Sequence, residues 1–258
     1  RALEEKLARA VMLAATAIVV GSLGLILATI VAKGAPALSV EMLTQVPKGG
    51  YAMGGGGGIL NAILGSLLLG GLATSLAAAV SLPVALYLNV FRRRESRIAT
   101  LVRFFLDVLW GVPSIVYGAL AFTVMVVFRV PASLLAGAFT IALLIMPIMA
   151  RAMDEVLRMI PFELHEAALS LGTTRLEVAL RVVLRQGLPG LVTAVLIAFG
   201  RGIGDAAAVL FTAGFTDALP GSLTKPVATL PLAIFFQLGT PFPEVQAFMR
   251  DIGPVTIA

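Results

Sequence analysis

Five stretches of mostly apolar residues, each long enough to cross a bilayer, follow one another along the chain. They cover about residues 7–32, 59–91, 100–128, 132–150 and 188–215. A helix needs about 20 apolar residues to span hydrocarbon. In lipid every backbone N–H and C=O must be paired within the protein, so runs of this length are satisfied by α-helices. Charged residues make up 13% of the chain and hydrophobic ones 59%, whereas a soluble domain carries roughly 25% charged. Too few polar residues remain to clothe a soluble core. The chain is therefore expected to be all-α, a polytopic transmembrane helical bundle forming one domain over residues 1–258.

The turns between spans settle the rest of the outline. Residues 33–58 are polar and end in five glycines, Gly54–Gly58. No lysine follows a glycine anywhere, so the run is no nucleotide-binding P-loop and reads as a hinge-like lead into the second span. Pro83 is expected to kink that span, and Arg92, Arg93, Arg94 and Arg97 follow it. Gly111-Val112-Pro113-Ser114 interrupts the third span, and Arg129-Val130-Pro131 makes a turn before the fourth. Residues 151–187 hold five basic and five acidic residues and His165, a hydrophilic loop with helical potential. The tail, 216–258, carries the apolar stretch Val227–Leu238, too short to span, and is expected to form a short interfacial helix with no sixth span.

With the amino terminus in the cytoplasm, thirteen basic residues fall on the cytoplasmic side and five on the outer side. That bias fits the positive-inside rule and puts the 151–187 loop in the cytoplasm and the tail in the periplasm. The net charge of +5 is thus explained by orientation in a lipid membrane. No basic-aromatic interleaving points to nucleic acid. The absence of cysteine excludes disulfides, thiolate metal sites and cysteine nucleophiles, and a lone His165 builds no metal cluster.

Two constellations carry chemistry. In the cytoplasmic loop, Glu163 and Glu166-Ala167-Ala168 precede Gly172 and a basic amphipathic stretch. Small alanines let a partner surface approach closely, and Gly172 can adopt the positive φ that ends one helix and turns into the next. The same pattern also suits an ordinary amphipathic connector. In the fifth span, Gly200-Arg201-Gly202-Ile203-Gly204-Asp205 places a base and an acid four residues apart, on one helix face. Arg201 lies about 20 Å along that helix from Leu188, near the bilayer midplane. A charge there is expensive and is kept when paired or when it lines a wet path. A guanidinium fork suits phosphate oxygens, and Asp205 would hold it and moderate its grip. A structural ion pair is the competing reading, and Gly200-x-x-x-Gly204 also offers a small-residue face for helix packing.

Ser114 could present a hydroxyl near a pathway, although Gly-Val-Pro-Ser also simply breaks helices. Arg103 and Asp107, four apart, read as an interfacial ion pair. Trp110 reads as packing or an anchor, and His165 as a contact residue.

Glu166-Ala167-Ala168-x-x-x-Gly172, followed by Val182-Val183-Leu184 and Leu188-Pro189-Gly190, resembles the EAA loop of binding-protein-dependent importer permeases. Arg185 stands where that pattern has proline. Gly200-Arg201-x-Ile203-Gly204 before an acid resembles the fifth-span signature of Pst-type phosphate permeases, with Asp205 where glutamate is usual. Gly58–Ser66, Gly111–Val116, Leu210–Phe215 and Thr229–Leu232 resemble the same family, the A permease (PstA-like) more than its C partner, over about residues 58–247. The resemblance implies the type I ABC importer permease (MetI-like) architecture, with a sixth span normally following. It implies a coupling helix in the 151–187 loop using Glu163, Glu166, Ala167, Ala168 and Gly172, and a substrate pathway at Arg201, Asp205 and Ser114. The implied partners are a second permease (PstC-like), two ATPase subunits (PstB-like) carrying ATP and magnesium, and an external phosphate-binding protein (PstS-like). The chain itself would bind no cofactor or metal and catalyse nothing. Sulfate or molybdate in place of phosphate, or a channel uncoupled from ATP, are the alternatives.

Overall fold

The computed structural model describes residues 2–48, 57–92 and 96–238. Among them every regular element is helical, apart from one isolated bridge between Pro47 and Gly57. The chain divides into two compact units, one of residues up to Leu60 with those from Ala233, the other Asn61–Leu232.

The first unit holds α1 (Ala2–Gly34) and the short α2 (Val40–Thr44). α1 is longer than the expected span, and none of its apolar window is buried. Such a helix, apolar all round, suits a lipid solvent. Ser39 caps α2, its hydroxyl accepting from the Met42 N–H at 3.1 Å. Of the glycine run, Gly57 sits at φ +108° against Val46–Lys48, and a Cβ on Gly58 would strike the Met42 carbonyl. Gly54–Gly56 lie outside the described residues.

The second unit is built around α6 (Leu134–Arg158). It packs against α9 (Leu184–Ile203), α4 (Arg97–Trp110) and α5 (Ser114–Phe128). Ile141, Ile145, Met149, Met153 and Leu157 are fully buried along α6, a stripe of four-residue spacing that keeps to one side of a helix. The facing stripe on α9 is small: Gly187, Leu191, Ala194, Ala198 and Gly202. A Cβ on Gly202 would lie 2.9 Å from Ile141 Cγ2, and one on Gly187 2.8 Å from Leu157 Cδ2. Lipid supplies no hydrophobic drive between helices, so close backbone approach over small residues is what holds them.

α3 (Leu60–Leu86) passes through Pro83 and widens into a π turn, Tyr87–Phe91. The Ser81 hydroxyl, buried between helices, donates to the Met146 carbonyl at 3.1 Å. The third expected span is not straight: α4 and α5 meet at 95°. Pro113 has no N–H and disfavours helix at the residue before it, and Tyr117 pins the elbow by donating to the Leu109 carbonyl at 2.9 Å.

The fourth span continues beyond residue 150 to Arg158, so the hydrophilic loop is shorter than its composition implied. It holds α7 (Phe162–Ser170) and α8 (Arg175–Glu177), which runs through a π turn, Val178–Val183, into α9. The fifth span stops at Ile203 rather than 215. Residues 204–229 are irregular; 205–217 and 227–229 are largely internal, with Ala208, Val209, Thr212, Ala213, Val227 and Ala228 buried, while 218–226 are mostly exposed. Non-helical backbone at membrane depth is tolerated where protein covers it. Here Thr212 C=O accepts from Ser133 N–H at 3.0 Å, Ala213 C=O from Val227 N–H at 3.0 Å, and Thr216 C=O from the Asn61 amide at 2.9 Å. Of the tail, α10 (Leu230–Leu238) is short, as expected. Its first N–H is held by Ser66 Oγ at 2.8 Å and Leu232 is fully buried, which packs its start into protein instead of leaving it at an interface. Residues 239–258, where a sixth span would fall, lie outside the described residues.

Candidate anion path and docking loop

Arg201 occupies the last turn of α9, where a cation complements the negative end of the helix. Its Nη1 lies 3.1 Å from Asp205 Oδ2. The two side chains differ sharply in exposure: 48% for Arg201 and 3% for Asp205. The carboxylate is thus a buried anchor and the guanidinium a projecting group. Asp205 Oδ1 also accepts from the Ala208 N–H at 2.8 Å. One carboxylate both fixes the turn that leaves the helix and holds the arginine. An aspartate is short enough for that local backbone bond, the same reason it favours helix caps.

The register of α9 on α6 gives the depth. Gly202 lies against Ile141 and Ile145, about 10–17 Å along α6 from its start at Leu134. The fifth span was expected to pass through this level, and the helix ends there instead.

Within this chain Gly200 and Gly204 pack against no other helix: among the described residues no atom lies within 4 Å of a Cβ built on Gly200, and Gly204 meets only the Gly200 carbonyl. Gly202, between them, makes the contact with α6, and the Gly200–Gly204 edge shares the exposed side with Arg201. Ser114 opens α5 at the elbow and is half-buried. Among the described residues no hydrogen bond or ion pair joins it to Arg201 or Asp205. Its neighbour one turn on, Gly118, lies against the Ala207 and Ala208 carbonyls, 2.9 and 2.7 Å from a Cβ there. So α5 abuts, at Gly118, the turn that Asp205 holds.

A second polar cluster went unforeseen. Asp154 of α6 is fully buried. Arg103 grips it with both fork nitrogens, Nε–Oδ2 2.8 Å and Nη2–Oδ1 3.0 Å. The Asn89 amide adds 2.7 Å and Arg151 Nη1 3.0 Å. Arg151 also pairs with Asp107 at 2.7 Å and Glu155 at 2.7 Å. Arg103 and Asp107, expected as an interfacial pair, each hold a partner on α6. This cluster ties α3, α4 and α6 together at the ends that carry the arginines. Arg151 is local to Asp154 on α6, but Arg103 and Asn89 come from 51 and 65 positions away, so local spacing does not signal the burial of Asp154.

Just beyond α6 comes the loop. α7 carries Glu163, Glu166 and Ala167 on its exposed surface, with Ala168 half-buried and His165 buried against the Phe162 ring at 5.8 Å. Gly172 has φ +82°, the left-handed value its position was expected to need. Thr174 and Glu177 form a reciprocal capping box that starts the next helix. Met159, exposed 83%, and Leu171, exposed 85%, flank α7.

The family model of the binding-protein-dependent transport system inner membrane component matches residues 81–236, which include the loop, Arg201 and Asp205. This chain belongs to that family. It is a membrane-embedded permease component of a transport system, with the all-α permease fold the sequence implied. Among curated relatives, the phosphate transport system permease protein PstA of Haemophilus influenzae is 36% identical over 219 residues, covering 85% of this chain and 76% of its own. PstA of Yersinia pestis is 35% identical over 222 residues, covering 86% and 74%. Among solved structures, the MetNI methionine ABC transporter in an inward-facing conformation superposes with a TM-score of 0.60 at 20% identity, over 77% of this chain and 89% of that one. That likeness speaks to fold alone.

Proposed function

We propose that this chain is the PstA-like permease subunit of an ATP-driven importer that carries inorganic phosphate across the inner membrane. The single observation that carries the reading is the half-exposed Arg201 guanidinium at the end of α9, tethered to a buried Asp205. An always-charged planar fork matches two phosphate oxygens. Its partial neutralisation by Asp205 keeps binding weak enough for release, which conduction requires. Gly200 and Gly204 leave room beside it, and Ser114 lies one turn from Gly118 on the helix that abuts the Asp205 turn. The likeness to relatives named as phosphate permeases supports the choice of cargo.

The amino terminus lies in the cytoplasm in this reading, which puts α7 there too. Glu163, Glu166, Ala167, Ala168 and the Gly172 turn dock on an ATPase subunit, with the exposed Met159 and Leu171 adding apolar contact. Two such PstB-like ATPases bind ATP and magnesium and supply the energy. A PstC-like permease completes the path, and a PstS-like protein delivers phosphate from the outer side. Closure of the ATPases moves one permease half against the other, and phosphate crosses unchanged.

Uptake of labelled phosphate, sulfate and molybdate by cells carrying the complete transporter tests this. Phosphate uptake is expected to fall about ten- to hundredfold in Arg201→Ala, the equivalent of one or two charge-assisted hydrogen bonds. Transport of sulfate or molybdate in preference to phosphate by the unsubstituted protein would sink the assignment.

A further inference from the structure

We propose that the cavity between the arginine-bearing end of α3 and the start of the α8–α9 helix binds an anionic phospholipid, with an acyl chain inside and the headgroup phosphate held by arginines at its mouth. The cavity has a volume of about 590 Å³ and is lined by Leu82, Pro83, Tyr87, Phe91, Leu176 and Leu180 among others, all apolar but for the tyrosine hydroxyl. Ligand sites commonly fall at about 300–1,000 Å³. A lining this apolar suits a hydrocarbon chain, and it opens beside helices long enough to span a bilayer.

The charge at the mouth selects the lipid. Each lining segment is joined in sequence to an arginine: Phe91 to Arg92, Leu176 to Arg175, Leu180 to Arg181. Arg92 Nε donates to the Tyr87 hydroxyl at 2.8 Å, and its guanidinium stands 5.7 Å from that ring's centre. Arg175 Nη1 donates to the Phe91 carbonyl at 3.2 Å, bridging the two sides of the cavity. Arg181 is 79% exposed, with the Glu177 carboxylate at 3.7 Å. Glu177 is itself engaged by the Thr174 N–H at 2.9 Å and the Thr174 hydroxyl at 3.0 Å. Each guanidinium has five N–H donors, so donors remain for phosphate oxygens after these contacts. Clusters of basic residues beside a span attract the anionic cytoplasmic leaflet. The orientation proposed above places this mouth in that leaflet. The site rests on the reading only to that extent and not on which anion is carried.

The complete transporter, reconstituted with phosphatidylglycerol bearing a photoreactive group near the end of one acyl chain, provides the test. Phosphatidylcholine with the same chain is the control. After irradiation, phosphatidylglycerol is expected to label peptides holding Leu82–Phe91 and Leu176–Leu180 at least about fivefold more than phosphatidylcholine, the factor one arginine supplies near an anionic surface. Arg175→Gln with Arg181→Gln should bring the two lipids together. Leu180→Trp should remove the cavity label while labelling of α5 persists, which reports that the chain is folded in lipid. Equal cavity labelling by both lipids in the unsubstituted protein would overturn the proposal. So would labelling of α5 with none in the cavity, the result if a protein segment fills it. Neither outcome bears on phosphate uptake, so failure here and failure of the importer reading are told apart.

Discussion

A buried carboxylate is useful only while its partners stay in place, and two of them organise this chain. Asp205 holds one arginine and one backbone N–H, leaving Arg201 half exposed. Asp154 is enclosed by two arginines and an asparagine. Removing one member of a buried ion pair costs about 3–5 kcal/mol, because the rest remain charged and unpaired. Asp154→Ala is therefore expected to lower the unfolding temperature of the purified protein substantially, whereas Glu155→Ala, at an exposed rim position, should change it little. Equal effects would contradict the cluster. The Arg201–Asp205 pair was legible in the sequence because both members sit within one helical turn. Asp154 was not, since its burial and its partners Asn89 and Arg103 come from the end of α3 and from α4, and nothing at Asp154 itself distinguishes it from the neighbouring Glu155.

Helix packing here depends on where Cβ atoms are missing. Gly202 meets Ile141 and Ile145, while Gly200 meets nothing among the described residues. Gly202→Val is expected to destabilise by about 1–3 kcal/mol through overpacking. Gly200→Ala is expected to leave thermal unfolding of this chain unchanged or slightly raised, because alanine is the better helix former. Thermal unfolding of the two variants checks the contrast. The spans were legible as apolar runs, but hydropathy cannot tell a helix from an irregular segment covered by protein. For that reason the fifth span was drawn to residue 215 and not ended at Ile203, although Gly202, Gly204 and Gly214 mark the break. The elbow at Gly111–Pro113 was visible as an interruption, and its 95° turn was not. At the loop, the positive φ of Gly172 was foreseen from its residue type. Glu166→Lys and Gly172→Asp are expected to abolish co-purification with a partner ATPase while membrane insertion persists. Retention of the ATPase by both variants would contradict docking at α7.

Across the second unit, charged groups gather in two places. Arg103, Arg151 and Asp154 cluster on α4 and α6 beside the loop, and the Arg201–Asp205 pair sits where α9 ends. Composition alone made the chain a membrane bundle, and the loop motif made it a permease component. The sequence does not tell a lipid-facing side of α9 from a water-facing one, because both are exposed in one chain. The most direct test is accessibility. The chain has no cysteine, so Ile197→Cys, one turn from Arg201 on the same face and 57% exposed, can be probed cleanly in a transporter with cysteine-free partners. Reaction with a membrane-impermeant thiol reagent, slowed by phosphate when Arg201 is present and not slowed in an Arg201→Gln background, is the expected result. Reaction only with a lipid-soluble maleimide, indifferent to phosphate, would place Arg201 against lipid and contradict the anion path.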